Sequence, residues 1–134
     1  MDTHEIRRFS DRVRAELHGD LMPFWLNRAE DHDRGGFIGR MSNELVVEAD
    51  APKGLVLNAR LLWTYAALAA STGDPRCLDL AARAYDYLIR FFLDREHGGF
   101  VWQVDARGRW LDGHKKTYGQ AFVLYALTEF HQAA

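Results

Sequence analysis

The sequence predicts an all-α fold of two outer/inner helix pairs, with a short β-hairpin between the outer and inner helix of each pair. Three observations carry this reading. Helical segments with one wet face alternate with helical segments that are apolar around their whole circumference. A Gly-Gly segment stands between each outer helix and the inner helix that follows. The whole arrangement then recurs after 62 or 63 positions, as in repeat architectures.

The first outer helix is predicted over residues 3–27. Ile6, Phe9, Val13, Leu17, Leu21 and Phe24 recur at intervals of three or four, with charged residues between them. Pro23 should kink or end its last turn, because proline lacks the amide donor. The first Gly-Gly segment, GGFIGRMSNELVVEAD (35–50), has two short apolar-rich runs about Ser42-Asn43 and reads as a hairpin. The first inner helix, Gly54 to Ser71, carries Arg60 as its only charge and should be covered on all sides.

The second outer helix spans 75–93. Asp74 is its N-cap and Pro75 its first residue, while Gly73 closes the helix before it. Leu78, Ala81, Ala82, Tyr85, Leu88, Ile89 and Phe92 form its apolar stripe. A second hairpin, GGFVWQVDARGRWLDG (98–113), turns at Ala106-Arg107-Gly108. The second inner helix, Thr117 to Phe130, is uncharged until Glu129. Gly35 and Gly98 stand 63 positions apart, as do Lys53 and Lys116, and 58–68 overlays 120–130 at a spacing of 62. Two copies are few for such a repeat, so the fold reads as incomplete.

Composition narrows the function classes. The 134 residues carry a net charge of −2 with scattered Lys and Arg, which argues against nucleic acid as a partner. The apolar run 54–70 is broken by Asn58 and Arg60, which argues against a membrane span. The single cysteine, Cys77, and the charged first residues fit a cytoplasmic location without a secretory signal. The six histidines show no ligand spacing for a metal, and no phosphate loop, nucleophile elbow or dinucleotide fingerprint is present, so no cofactor is expected.

The stretches FWLNRAEDHDRGGFIGRM, APKGLVLNARLLWTYAAL and DREHGGFVWQVDARGRWLDGHKKTYGQAFVLYALTEF resemble the opening of the N-acylglucosamine and cellobiose 2-epimerases. The likeness runs from about Phe24 to Phe130. It is most specific in the Lys-Gly…Asn-x-Arg-Leu-Leu-Trp-Thr and Lys-Lys-Thr-Tyr-Gly-Gln-Ala-Phe runs. It implies a partial (α/α)6 toroid, with residues 1–134 supplying two of six helix pairs of one domain. The implied activity is epimerisation of an aldose, or an aldose-ended disaccharide, at C2 through a cis-enediolate, and the implied partner is that sugar.

The resemblance implies that Arg60 contacts the sugar near the reacting carbons, where a fixed cation would stabilise a developing oxyanion. The other reading of Arg60 is a buried ion pair with Asp50 or Glu129. Tyr118 is implied to lie at the mouth and to hydrogen-bond the substrate; otherwise it is a core tyrosine. Trp63, on nearly the same face as Arg60, is a stacking shelf or core packing. Asn58 points about 200° from Arg60, so the two do not share one ligand directly. The family's pair of proton-transferring histidines is implied to come from later inner helices, so the fragment alone should be inactive. Two alternatives accompany this reading. One is an α/α-toroid glycoside hydrolase fragment, which needs two carboxylates where the inner helices offer only Glu129. The other is a non-catalytic carbohydrate-binding or assembly module, a homo-oligomer in which three copies close a ring.

Overall fold

The computed structural model describes residues 2–134. Helix α1 (Thr3–Glu16) opens with a capping box: the Asp2 carboxylate accepts the His4 and Glu5 amides, and Glu5 reaches back to the Asp2 amide. One π-helical turn, Leu17–Leu21, joins it without a break to α2 (Met22–Arg28). Pro23 therefore does not end the helix. It stands in the first turn of α2, after the wide π turn, and the Asn27 side-chain amide donates to the Pro23 carbonyl at 2.6 Å. The apolar stripe of α1 is also not covered as expected. Ile6, Phe9 and Val13 are about half exposed, and no residue of α1 is buried.

Helix α3 (Leu55–Thr72) is the centre of the fold and packs against both of the long helices that follow it. Gly73, at φ 69°, closes it, its backbone amide donating a hydrogen bond to the Ala69 carbonyl. Asp74 then caps α4 (Pro75–Tyr87), whose end is a second π turn, Leu88–Phe92. Leu55, Ala59, Leu62, Tyr65 and Ala66 of α3 meet Ala81, Ala84, Leu88 and Phe92 in one core. At roughly 1.5–3 kcal/mol per large apolar side chain, this burial is what holds the helices together.

Helix α5 (Thr117–Ala133) lies beside α3 and runs in the same direction. The first turns of the two meet where Gly119 faces Leu55; a Cβ on Gly119 would come within 2.8 Å of the Leu55 side chain. Further along, the Trp63 and Tyr125 rings stack 5.4 Å apart and 12° from parallel. Two helix pairs thus form an arc with α3 and α5 on its inner side.

The two Gly-Gly segments differ more than their sequences do. The second forms the expected hairpin, β2 (Gln103–Val104) against β3 (Trp110–Asp112), turning at Gly108 with φ 87°. The first keeps one antiparallel bridge, Met41 to Val47, about a turn that holds Leu45 at φ 64°. Its chain continues into β1 (Lys53–Gly54), which pairs with β2 to give a three-stranded sheet of order β1-β2-β3. The entry to the first inner helix is thereby fastened to the hairpin of the second repeat, and the Leu55 amide donates to the Trp102 carbonyl at 3.0 Å.

Candidate functional site

Each inner helix is set in place by the same small device, Asp-x-x-x-Gly-Gly-Phe. Asp31 accepts the Asp33 and Arg34 amides on one carboxylate oxygen, and Asp94 accepts the Glu96 and His97 amides in the same way. Both glycine pairs have positive φ: 80° and 65° at Gly35-Gly36, 72° and 77° at Gly98-Gly99. The second carboxylate oxygen binds a lysine just ahead of the inner helix. Lys53 reaches Asp31 at 2.7 Å and the Gly35 carbonyl at 2.6 Å; Lys115 reaches Asp94 at 2.7 Å.

The lysine match at a spacing of 63 is therefore corrected to 62. The functional counterpart of Lys53 is Lys115, while Lys116 sits over the Trp102 ring at 4.0 Å. The register slips by one between loop and helix, and the ion pair follows the helix. Both aspartates were legible in the sequence, standing four residues before the two Gly-Gly pairs in the same 63-residue register.

Burial alone would raise the Asp31 pKa, but the Lys53 ammonium and the Arg34 and Asp33 amides outweigh it and hold the carboxyl below its ordinary value. Burial is also the larger effect on Lys53, and it draws that ammonium below the usual lysine range despite Asp31. Asp94 is held far below the ordinary carboxylate range, first by the Lys115 ammonium and then by the His97 amide.

Of the predicted site residues, Asn58 does not reach the inner face. It is fully buried, and its side-chain amide donates to the Gly54 carbonyl at 2.8 Å. Its counterpart 62 positions on, Gln120, is one methylene longer and clasps both the amide and the carbonyl of Phe100, at 2.8 and 2.7 Å. Arg60 is exposed, and no carboxylate stands within 4 Å of it among the described residues. The expected ion pair is absent, since Asp50 pairs instead with Arg34 at 2.9 Å.

The expectation that the first inner helix is covered on all sides is likewise corrected at Arg60, which is exposed. Arg60 borders an open recess of about 520 Å³ between α2 and α3, walled by Trp25, Leu57 and Thr64 among others. An arc of two helix pairs has an inner side but does not surround it. For the same reason α5 is not sheathed: Tyr118, Leu124 and Tyr125 are 63%, 69% and 57% exposed. Tyr118 stands in the first turn of α5, edge-on to Phe122 at 4.9 Å. Trp63 is half-buried, closed on one side by Tyr125, which carries no distinguishing signal in the sequence. All six histidines are exposed, and none of the described residues forms a cluster of three or more His, Cys, Asp or Glu side chains placed for a metal. No helix among the described residues is long and apolar enough to cross a membrane.

The inner helices together offer a guanidinium free of carboxylate partners, a phenol at a helix start and a stacked aromatic pair. Such a surface suits a neutral polyhydroxylated ligand, which aromatic faces stack on and charged donors orient. Together with parallel inner helices backed by an outer helix, it defines one wall of an α/α toroid. The chain belongs to the N-acylglucosamine 2-epimerase (GlcNAc 2-epimerase) family, whose profile matches residues 36–134. It is 40% identical over 121 residues to the cellobiose 2-epimerase of Bacteroides fragilis, covering 90% of this chain and 31% of that protein. The corresponding enzyme of Dictyoglomus turgidum is 36% identical over 129 residues, covering 96% of this chain and 33% of that protein. The cellobiose 2-epimerase structure from Spirochaeta thermophila superposes with a TM-score of 0.92 at 37% identity, over 98% of this chain and 32% of that one. The chain thus spans about a third of the length of the relatives it matches.

Proposed function

We propose that the chain supplies one wall of the sugar-binding mouth of an aldose 2-epimerase, two of the six helix pairs in a longer domain. The observations that carry this are Arg60, exposed on α3 with no carboxylate within 4 Å among the described residues, and Tyr118, exposed in the first turn of the neighbouring α5. Family membership and relatives that are cellobiose 2-epimerases support the reaction type.

In this reading an open-chain aldose lies along the inner side, and removal of its C2 proton leaves negative charge on an enediolate oxygen. Arg60 stabilises that oxygen, since an unpaired guanidinium stays charged at every working pH. Tyr118 orients a sugar hydroxyl, and the Trp63–Tyr125 stack forms an aromatic floor. Asn58, being buried behind this surface, takes no part in sugar contact. Of the six histidines only His131 stands on an inner helix, in the last turn of α5 at the end away from Tyr118, so this reading assigns the acid/base pair to other helix pairs.

The test is C2 proton exchange in deuterated water with glucose, mannose, cellobiose and N-acetylglucosamine. The 134-residue protein should give no exchange. When it is joined to the remaining two thirds of a related epimerase, exchange should appear, and Arg60→Ala should lower it by about 100-fold or more, as loss of an oxyanion donor does. Full activity in the Arg60→Ala hybrid would overturn the assignment.

A further inference from the structure

The first Asp-x-x-x-Gly-Gly-Phe loop is completed by the outer helix that follows it. Arg83 of α4 donates to the Gly36 carbonyl at 3.3 Å and the Asp31 carbonyl at 3.2 Å, and pairs with Glu30 at 3.1 Å. One turn later the Tyr87 ring lies on Gly36, where a Cβ would come within 2.6 Å of it. The Lys53 ammonium stands 5.2 Å from the centre of the same ring.

The second loop has the same backbone shape. Its Asp94 amide bonds the Gly99 carbonyl at 2.9 Å, as the Asp31 amide bonds the Gly36 carbonyl at 3.1 Å. Its surroundings differ in two respects: Leu93 stands where the first loop has Glu30, and the outer side is open. Lys53 is 1% exposed and its counterpart Lys115 is 31% exposed. Leu62 is 0% exposed, and its counterpart on α5, Leu124, is 69% exposed.

We propose that the outer side of the 94–100 loop and the adjoining Leu124 face of α5 form a docking surface for a helix carrying Arg and Tyr four residues apart. The guanidinium donates to the Asp94 and Gly99 carbonyls, each of which has a lone pair to spare. The tyrosine ring covers Gly99 and the Lys115 ammonium, and apolar residues of the same helix bury Leu124. The occupant is a helix of the α4 type and not the α1–α2 helix of a second copy. In the 63-residue register of the two loops, the residues matching Arg83 and Tyr87 there are Asp20 and Phe24. A carboxylate facing two carbonyl oxygens is repelled by them. The inference stands whether or not the chain handles sugars.

The test uses the register that the repeat itself supplies. Ala134 corresponds to Thr72 at a spacing of 62, so a copy of residues 73–93 is fused directly after Ala134. Amide hydrogen exchange is then followed at 94–100 in the extended and original chains. The extension should slow exchange there by about tenfold or more, since charged hydrogen bonds and new burial must break before the loop opens. The Arg83→Ala and Tyr87→Ala changes within the appended copy should each give back part of that protection, and together nearly all of it. Unchanged exchange in the extended chain overturns the proposal, as does protection that survives both substitutions. Protection that rises with concentration in the original chain also overturns it, by making a second copy the occupant.

Discussion

Replacing Lys53 by alanine tests the device that sets the inner helices. The Lys53 side chain is 1% exposed, and its ammonium makes two short bonds, to Asp31 at 2.7 Å and to the Gly35 carbonyl at 2.6 Å. Removing one partner of a buried pair costs about 3–5 kcal/mol, chiefly because the remaining charge is stranded. Asp31 is not wholly stranded, being 12% exposed and holding two backbone amides, which places the change near the lower limit. A loss of about 3 kcal/mol is therefore expected for Lys53→Ala, read from urea unfolding at constant m-value. Lys115→Ala should cost clearly less, because water replaces an ammonium that is already 31% exposed. A double change, Asp31→Asn with Lys53→Met, should recover part of the loss by removing both charges at once. If Lys53→Ala costs under about 1 kcal/mol, as exposed pairs do, the loop is not held by this pair and the reasoning fails.

Three further outcomes follow from the same geometry. Gly36→Ala forces a left-handed residue and drives a Cβ to 2.6 Å from the Tyr87 ring, whereas at Gly99 the nearest atoms lie 3.2 Å away on flexible side chains. Gly36→Ala should therefore cost about 3 kcal/mol, and Gly99→Ala roughly half of that, by chemical denaturation. Tyr65 and Tyr87 are both buried, but only the Tyr65 hydroxyl has a partner, the Trp25 carbonyl at 2.8 Å; burial pushes the unpartnered Tyr87 phenol up to about 12. Tyr65→Phe should cost about 1 kcal/mol while Tyr87→Phe is neutral or stabilising, and a shared loss at both would refute the distinction. Asp31 and Asp94 have depressed pKa values in the fold, so each stabilises fully above its unfolded value and loses that contribution as pH falls through the folded one. Thermal midpoints should thus hold from neutrality to about pH 4 and then fall, with a shallower acid limb in Asp31→Asn and Asp94→Asn; equal limbs would contradict the linkage.

Helix identity and order were legible because each rests on local chemistry. Asp74, Pro75 and Gly73 mark helix ends through bonds made within one turn, and the structure contains those bonds. The first hairpin is present as a short pairing about its turn, Met41 against Val47, but the strand that follows it was not legible: β1 lies beyond 35–50 and pairs with β2 of the next repeat. Register across a repeat boundary is set by tertiary packing, which periodicity in one segment does not encode.

The site was legible in kind and wrong in setting. An apolar helix with a single arginine reads as sealed, since hydrophobicity around a whole circumference normally demands cover on every side. That demand is a statement about the finished assembly, and an arc of two pairs meets it only on the side facing its own outer helix. Leu62 and Leu124 occupy equivalent positions on the inner helices, yet one is fully buried and the other 69% exposed. The same residue type in the same register is core or surface according to whether an outer helix follows it. The exposure of Tyr118 and Leu124 therefore belongs to an inner helix that, unlike α3, has no following outer helix of the arc packed against it.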